Sequence, residues 1–166
     1  AEKELRDHIG VPAKDKKARH LNMRVGRREE HLKNNCVAIG LSQGFIEPLE
    51  ATALMLVQYS LYKFIDFIES KDTDVKRYNT SINQMFEGVK DYITAHYILN
   101  NRDDSQYWID CREKAEVSDT LAAIIAAWDS EQDFDAALSQ VSPFSMYKRA
   151  SWYAILSGMG RFPLAT

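Results

Sequence analysis

The chain has 166 residues, 45% apolar, 27% charged and 11% aromatic, with a net charge of −3; this allows one domain with a modest core and excludes a disordered chain. Its seven Gly and four Pro are about half of ordinary usage, which tilts the fold toward helices. The apolar run Leu121 to Trp128 is too short to cross a bilayer, the mixed polar opening Ala1 to Gly10 is unlike a signal segment, and Cys36 and Cys111 form no CxxC pair, so the expectation is a cytoplasmic, mainly α chain off the membrane.

Charge is uneven along the chain. Residues 1–33 hold ten Lys/Arg against six Asp/Glu, and the remainder holds 11 against 18. The basic part lacks interleaved aromatics and precedes an acidic body, so nucleic acid is not expected as a partner.

From Arg19 to Arg28, alternation of Leu21, Met23 and Val25 with polar neighbours predicts a half-buried strand. After a polar break at Glu29–Asn35, Cys36-Val37-Ala38-Ile39 reads as a short buried strand ended by Gly40. Two strands make no stable sheet alone, which points to partners elsewhere. Beyond Pro48 the pattern is helical. Leu54, Val57, Leu61, Phe64/Ile65 and Ile68 have the spacing of a core-facing stripe, broken at Ser70-Lys71-Asp72. Tyr78, Ile82, Met85/Phe86, Val89, Ile93 and His96/Tyr97 mark a longer helix that stops at Asn100-Asn101. Asp104 or Ser105 caps a short helix through Trp108, and Ser118-Asp119 caps Thr120 to Trp128. Phe134 to Val141 forms another short helix before Pro143, and Met146 to Leu156 ends at Ser157-Gly158-Met159-Gly160 with Pro163 beyond.

No GxGxxG, P-loop, HExxH or GxSxG occurs. His8, His20, His31 and His96 are far apart, so no metal site is expected and these read as surface or hydrogen-bonded histidines. The segment from Asn35 to Thr52 is less ordinary: a strand runs into Gly40-x-x-x-Gly44, then toward a helix with Pro48 and Glu50 in its first turn. Read functionally, the glycines let backbone approach a flat or anionic ligand, and the helix start offers free amides to an anion. Read structurally, Pro48 is a favoured first-turn residue and Glu50 complements the helix dipole.

Asn34-Asn35-Cys36-Val37-Ala38-Ile39-Gly40-Leu41-Ser42-Gln43-Gly44-Phe45-Ile46-Glu47-Pro48-Leu49-Glu50-Ala51-Thr52 resembles the NCVxIGLSxGFxEPLEST motif of flavin-dependent tryptophan halogenases. Ala95-His96-Tyr97 with Arg102-Asp103-Asp104-Ser105 and Tyr107-Trp108, and Ser151-Trp152-Tyr153 through Gly158-x-Gly160 to Pro163, are similar to further stretches of that family. The resemblance runs from about Arg24 to Pro163. It implies that Glu50 is the catalytic carboxylate that holds or deprotonates the substrate ring, because ring attack builds positive charge that a nearby anion stabilises. It implies halide binding at the backbone of Thr52 and Ala53, a loop of Gly40, Ser42 and Gly44 beside the flavin ring, and substrate contacts at Met146 and Tyr147. On a regular helix, residues 50 and 52 would point about 200° apart, so carboxylate and halide need not share a face. The family often has Ser and Gly where this chain has Ala51 and Ala53.

The family's GxGxxG fold, WxWxIP motif and catalytic lysine belong to an N-terminal part whose motifs are missing here. The resemblance therefore implies the C-terminal third of an enzyme, with residues 1–45 as the last strands and loop of a flavin-binding domain and 46–166 as a helical substrate-side domain. It implies reduced FAD, dioxygen and halide as reactants, a flavin reductase as partner, and an electron-rich, tryptophan- or indole-like aromatic as substrate. The isolated chain is expected to be inactive. The rival readings are a non-catalytic helical interaction domain of the same ancestry and a flavin monooxygenase that does not halogenate.

Overall fold

The computed structural model describes residues 2–13, 15–130, 133–141 and 146–162. Pro143 and Pro163, expected as helix stops, lie outside the described residues. The α-helices are α1 (Glu2–Ile9), α2 (Thr52–Glu69), α3 (Val75–Ile98), α4 (Gln106–Lys114), α5 (Asp119–Asp129), α6 (Phe134–Val141) and α7 (Arg149–Gly158). Four two-residue strands accompany them: β1 (Gly26–Arg27), β2 (Leu32–Lys33), β3 (Cys36–Val37) and β4 (Gly44–Phe45). The fold is mainly α, as expected.

The strand expectations need correction. Of Arg19 to Arg28 only Gly26 and Arg27 pair, and Leu21, Met23 and Val25 are exposed. The alternation is real, but no neighbour accepts its apolar side. Cys36–Val37 is a strand, yet Cys36 is exposed and Val37 only half-buried. The partners lie within the chain: β1 pairs antiparallel with β4, and β2, inside the stretch expected to be a break, pairs with β3. Gly44 is required by the first pairing. A Cβ there would come within 2.7 Å of the Gly26 carbonyl oxygen and 2.9 Å of Arg27 Cα.

Helix α3 is the spine of the core. Its Tyr78, Ile82, Met85, Phe86, Val89, Tyr92, Ile93 and Ala95 are buried against α2, α4, α5 and the β2–β3 hairpin. Asp74 caps it by accepting from the Arg77 amide at 2.8 Å. Helix α4 runs to Lys114, a turn and a half past the expected end, and α7 starts at Arg149 rather than Met146. Ser118 caps α5 through the Leu121 amide while its own hydroxyl donates to the buried Asp91 carboxylate at 2.7 Å. Burial pushes that carboxyl above its usual range, and the Ser118 bond opposes the shift. Two backbone bonds close α7, Arg161 N–H to the Leu156 carbonyl and Gly160 N–H to that of Ser157, the pairing of a Schellman stop.

Helix α2 presents a different face from the one its spacing suggests. Thr52, Leu56 and Ser60 are buried and Val57 and Phe64 of the expected stripe are half-buried, whereas Leu54, Leu61, Ile65 and Ile68 are exposed, Leu54 at 67%. The helix is apolar on two sides, and periodicity alone does not say which meets the core.

Asn79 ties the β2–β3 hairpin to α3. Its Oδ1 accepts from the amides of His31 and Leu32, both at 2.8 Å, and its Nδ2 donates to the Leu32 carbonyl at 3.0 Å. His31, stacked on Phe86, adds a contact to Asn83. Asn79→Ala removes three bonds and leaves backbone groups unpaired, so it should lower stability by about 2–4 kcal/mol. Urea unfolding should show a lower midpoint with an unchanged slope.

Candidate active site

The segment between β4 and α2 is not the helix start that Pro48 suggests. Residues Leu49–Ala51 make a 3-10 turn, Pro48 precedes it, and α2 begins at Thr52. Glu50 (φ 54°) and Ala51 (φ 57°) both lie in the left-handed region. Neither is Gly or Asn, so each carries roughly 1–2 kcal/mol of conformational cost, and such a turn persists only where surroundings over-determine it. Here the Thr52 amide donates to the Leu49 carbonyl and the Thr52 hydroxyl to the Glu47 carbonyl at 3.2 Å. Glu50 is therefore not a helical residue, and neither the dipole role nor the 200° helix angle describes it. The turn itself sets its direction.

Glu50 stands at the edge of a pocket of about 290 Å³ lined by Tyr92, His96, Ala154, Ile155, Gly158 and Met159. Its side chain is 51% exposed, and Oε1 lies 3.4 Å from His96 Nε2. His96 Nδ1 sits 2.9 Å from the Tyr92 carbonyl oxygen. A carbonyl only accepts, so Nδ1 carries a proton, and Nε2, which faces the carboxylate, donates to it in the imidazolium form of the ring. Tyr92 is the aromatic centre. It stacks on Tyr147 with centroids 3.7 Å apart and meets His96 and Trp152 edge-on at 4.9 Å and 5.1 Å. Burial, reinforced by the charge of Glu50, pushes the Tyr147 phenol up to about 12 and raises that of Tyr92. Tyr147 thus lies within the field of Glu50, while Met146 packs half-buried against the core.

On the other side of the turn, a pocket of about 170 Å³ gathers Gly40, Gly44, Phe45, Ala53, Leu54 and Val57. Gly40 (φ +67°) opens the loop in a conformation that other residues rarely adopt. The Ser42 hydroxyl is engaged with its own turn, donating to the Ile39 carbonyl and accepting from the Ile39 amide. Gln43 and Ser60, both buried, exchange bonds of 2.8 Å and 3.1 Å that fasten the loop to α2. The pocket is mainly apolar and borders the first turn of α2, which suits the edge of a flat ring beside an anion. Its lining includes no basic side chain to hold a dinucleotide's phosphates. Of the two residues expected at the halide, the Thr52 amide is committed to Leu49 and Ala53 borders the pocket. Among the described residues, no three His, Cys, Asp or Glu side chains gather as a metal site.

Glu50 and the glycine loop stood out in the sequence. Tyr92 and the Glu50–His96 contact did not, because the 45 positions between Glu50 and His96 are bridged only by folding; Tyr92 and His96, four apart on one helix face, were the available sign.

The fold that carries these residues recurs in solved flavin-dependent halogenases. BrvH, a flavin-dependent halogenase from Brevundimonas sp. BAL3, superposes with a TM-score of 0.75 and 33% identity over 90% of this chain and 30% of its own. A tryptophan halogenase from Shewanella frigidimarina NCIMB 400 gives a TM-score of 0.84 and 28% identity over 99% of this chain and 32% of its own. The tryptophan halogenase family model matches residues 1–166, and the chain belongs to that family. Tryptophan 6-halogenase SttH from Streptomyces toxytricini is 36% identical over 172 residues, covering 99% of this chain and 31% of the relative. The chain spans about a third of the length of these relatives. No described helix is long and apolar enough to cross a membrane.

Proposed function

We propose that this chain is the C-terminal part of a flavin-dependent halogenase and that Glu50 handles the ring proton of an electron-rich, tryptophan- or indole-like aromatic. The observation that carries this reading is the placement of one carboxylate at the edge of a pocket bordered by Tyr92 and His96, with a second, apolar pocket beyond the same turn. Family membership supports the cofactor and halide. When bound, reduced FAD supplies the electrons with which dioxygen converts halide to hypohalous acid. Gly40, Ser42 and Gly44 would border its ring, and the halide would sit by Thr52 and Ala53, with the Ala53 amide as donor. A flavin reductase is the natural electron source. Residues 1–45 then close the flavin side and 46–166 form the substrate side.

The residues of this chain divide the work by position. Tyr92 lines the pocket beside Glu50 and is backed by the buried Tyr147, so a flat ring entering there would pack beside Tyr92. Attack by the electrophilic halogen leaves a cationic ring; the Glu50 carboxylate stabilises that charge and takes the proton from the halogenated carbon, restoring aromaticity. The test is the full-length protein supplied with a flavin reductase, FAD, NADH, chloride or bromide, and tryptophan or free indoles. Halide-dependent appearance of a halogenated product by mass spectrometry is expected. Oxygenated product without halide dependence would overturn the reading.

A further inference from the structure

The left-handed pair at Glu50 and Ala51 has an outside support that the reaction as described does not use. His96 and Tyr97 are consecutive on the last turn of α3, and each reaches a different carboxylate of the same short segment. His96 faces Glu50; the Tyr97 phenol donates to Glu47 Oε1 at 2.5 Å. A bond from a hydroxyl to a carboxylate is of the strong, charge-assisted kind. Glu47 is also gripped through its backbone, since its carbonyl accepts from the Thr52 hydroxyl. The residue that leads into the turn is therefore fixed twice, to α3 through its side chain and to α2 through its carbonyl.

Tyr97 is itself braced. Its ring stacks on Trp108 of α4 at 5.9 Å, and Arg102 lies over that indole at 4.4 Å. Burial, with the bond to Glu47 adding to it, raises the Tyr97 phenol above its ordinary range, which keeps the donated proton on Tyr97. We propose that His96 and Tyr97 are positioning residues: Tyr97 holds Glu47 and His96 holds Glu50, so that the strained turn aims the Glu50 carboxylate into the aromatic pocket. This rests on the reading of Glu50 given above.

The test pairs Tyr97→Phe, which keeps the ring stack and deletes the hydroxyl, with Glu47→Gln, which keeps an acceptor oxygen. In the full-length protein, Tyr97→Phe should lower kcat for halogenated product ~10- to 100-fold with KM nearly unchanged, the scale of a reacting group displaced by about an ångström. Glu47→Gln should keep turnover within a few-fold of wild type, and His96→Gln, which replaces the ring by an amide able to donate to Glu50, should fall between. Amide hydrogen exchange at residues 49–53 gives a readout free of activity, and Tyr97→Phe should speed it about tenfold. Unchanged exchange, or faster exchange with wild-type kcat, would overturn the positioning role. A wild-type protein that halogenates while Tyr97→Phe matches it removes only this inference. A wild-type protein that forms no halogenated product removes the reading of Glu50 and this inference together.

Discussion

Glu50→Gln in the full-length protein should cut halogenated product at least ~100-fold while flavin reoxidation continues at its former rate. The amide keeps the size of the side chain and its place on the left-handed turn, so the two pockets are unchanged in shape. What disappears is the negative charge 3.4 Å from His96 and the oxygen able to take a ring proton, a group whose contribution is usually 10²–10⁴-fold. Halide oxidation belongs to the flavin side, so electron flow and product formation should separate in this one variant. Measuring both in the same reaction decides the matter: equal loss of the two would place Glu50 on the flavin side, and full halogenation would leave it a structural role only.

Trp152→Ala should cost about 3–5 kcal/mol of stability, the usual price of emptying a large buried aromatic site. Trp152 is 1% exposed on α7 and meets Tyr92 edge-on. Against a total of roughly 5–15 kcal/mol for a domain of this kind, that loss should lower Tm by about 6–20 °C, followed by far-UV circular dichroism because the substitution removes a fluorophore. The second consequence is chemical. Tyr92, which stacks on Tyr147 and contacts His96, loses its backing, so Trp152→Ala should also raise KM for the aromatic substrate. Trp152→Phe, which keeps an edge for Tyr92, should show a smaller fraction of both effects.

Where one face of a helix is buried and the other is polar, the sequence was enough. Helix α3 was legible from Tyr78 to Tyr97 against an observed Val75–Ile98, and α6 at Phe134–Val141 without change. Where two faces are apolar, as in α2, spacing picked a stripe that is exposed except at the half-buried Val57 and Phe64, since nothing local distinguishes the side that meets the core. The half-strand at Arg19–Arg28 failed for a related reason: alternation records the potential to pair, and only two residues find a partner. At the candidate site, Glu50 and the Gly40–Gly44 loop were visible as a motif. The left-handed turn was not, because Glu and Ala give no local sign of positive φ, and the stabilising contacts come from His96 and Tyr97 of a helix nearly fifty residues on.

The outward stripe of α2 has a consequence for the chain handled by itself. Leu54, Leu61, Ile65 and Ile68 fall within roughly 60° of one another around the helix axis, and all four face water. Water wets such a strip poorly, and two chains that meet strip to strip each hide it. A net charge of −3 on 166 residues supplies little long-range repulsion to keep them apart, least of all in salt. The isolated chain should therefore behave as a sticky colloid whose apparent size grows with concentration, and a single charged residue at Ile65 should do more for its solubility than any change made to its core.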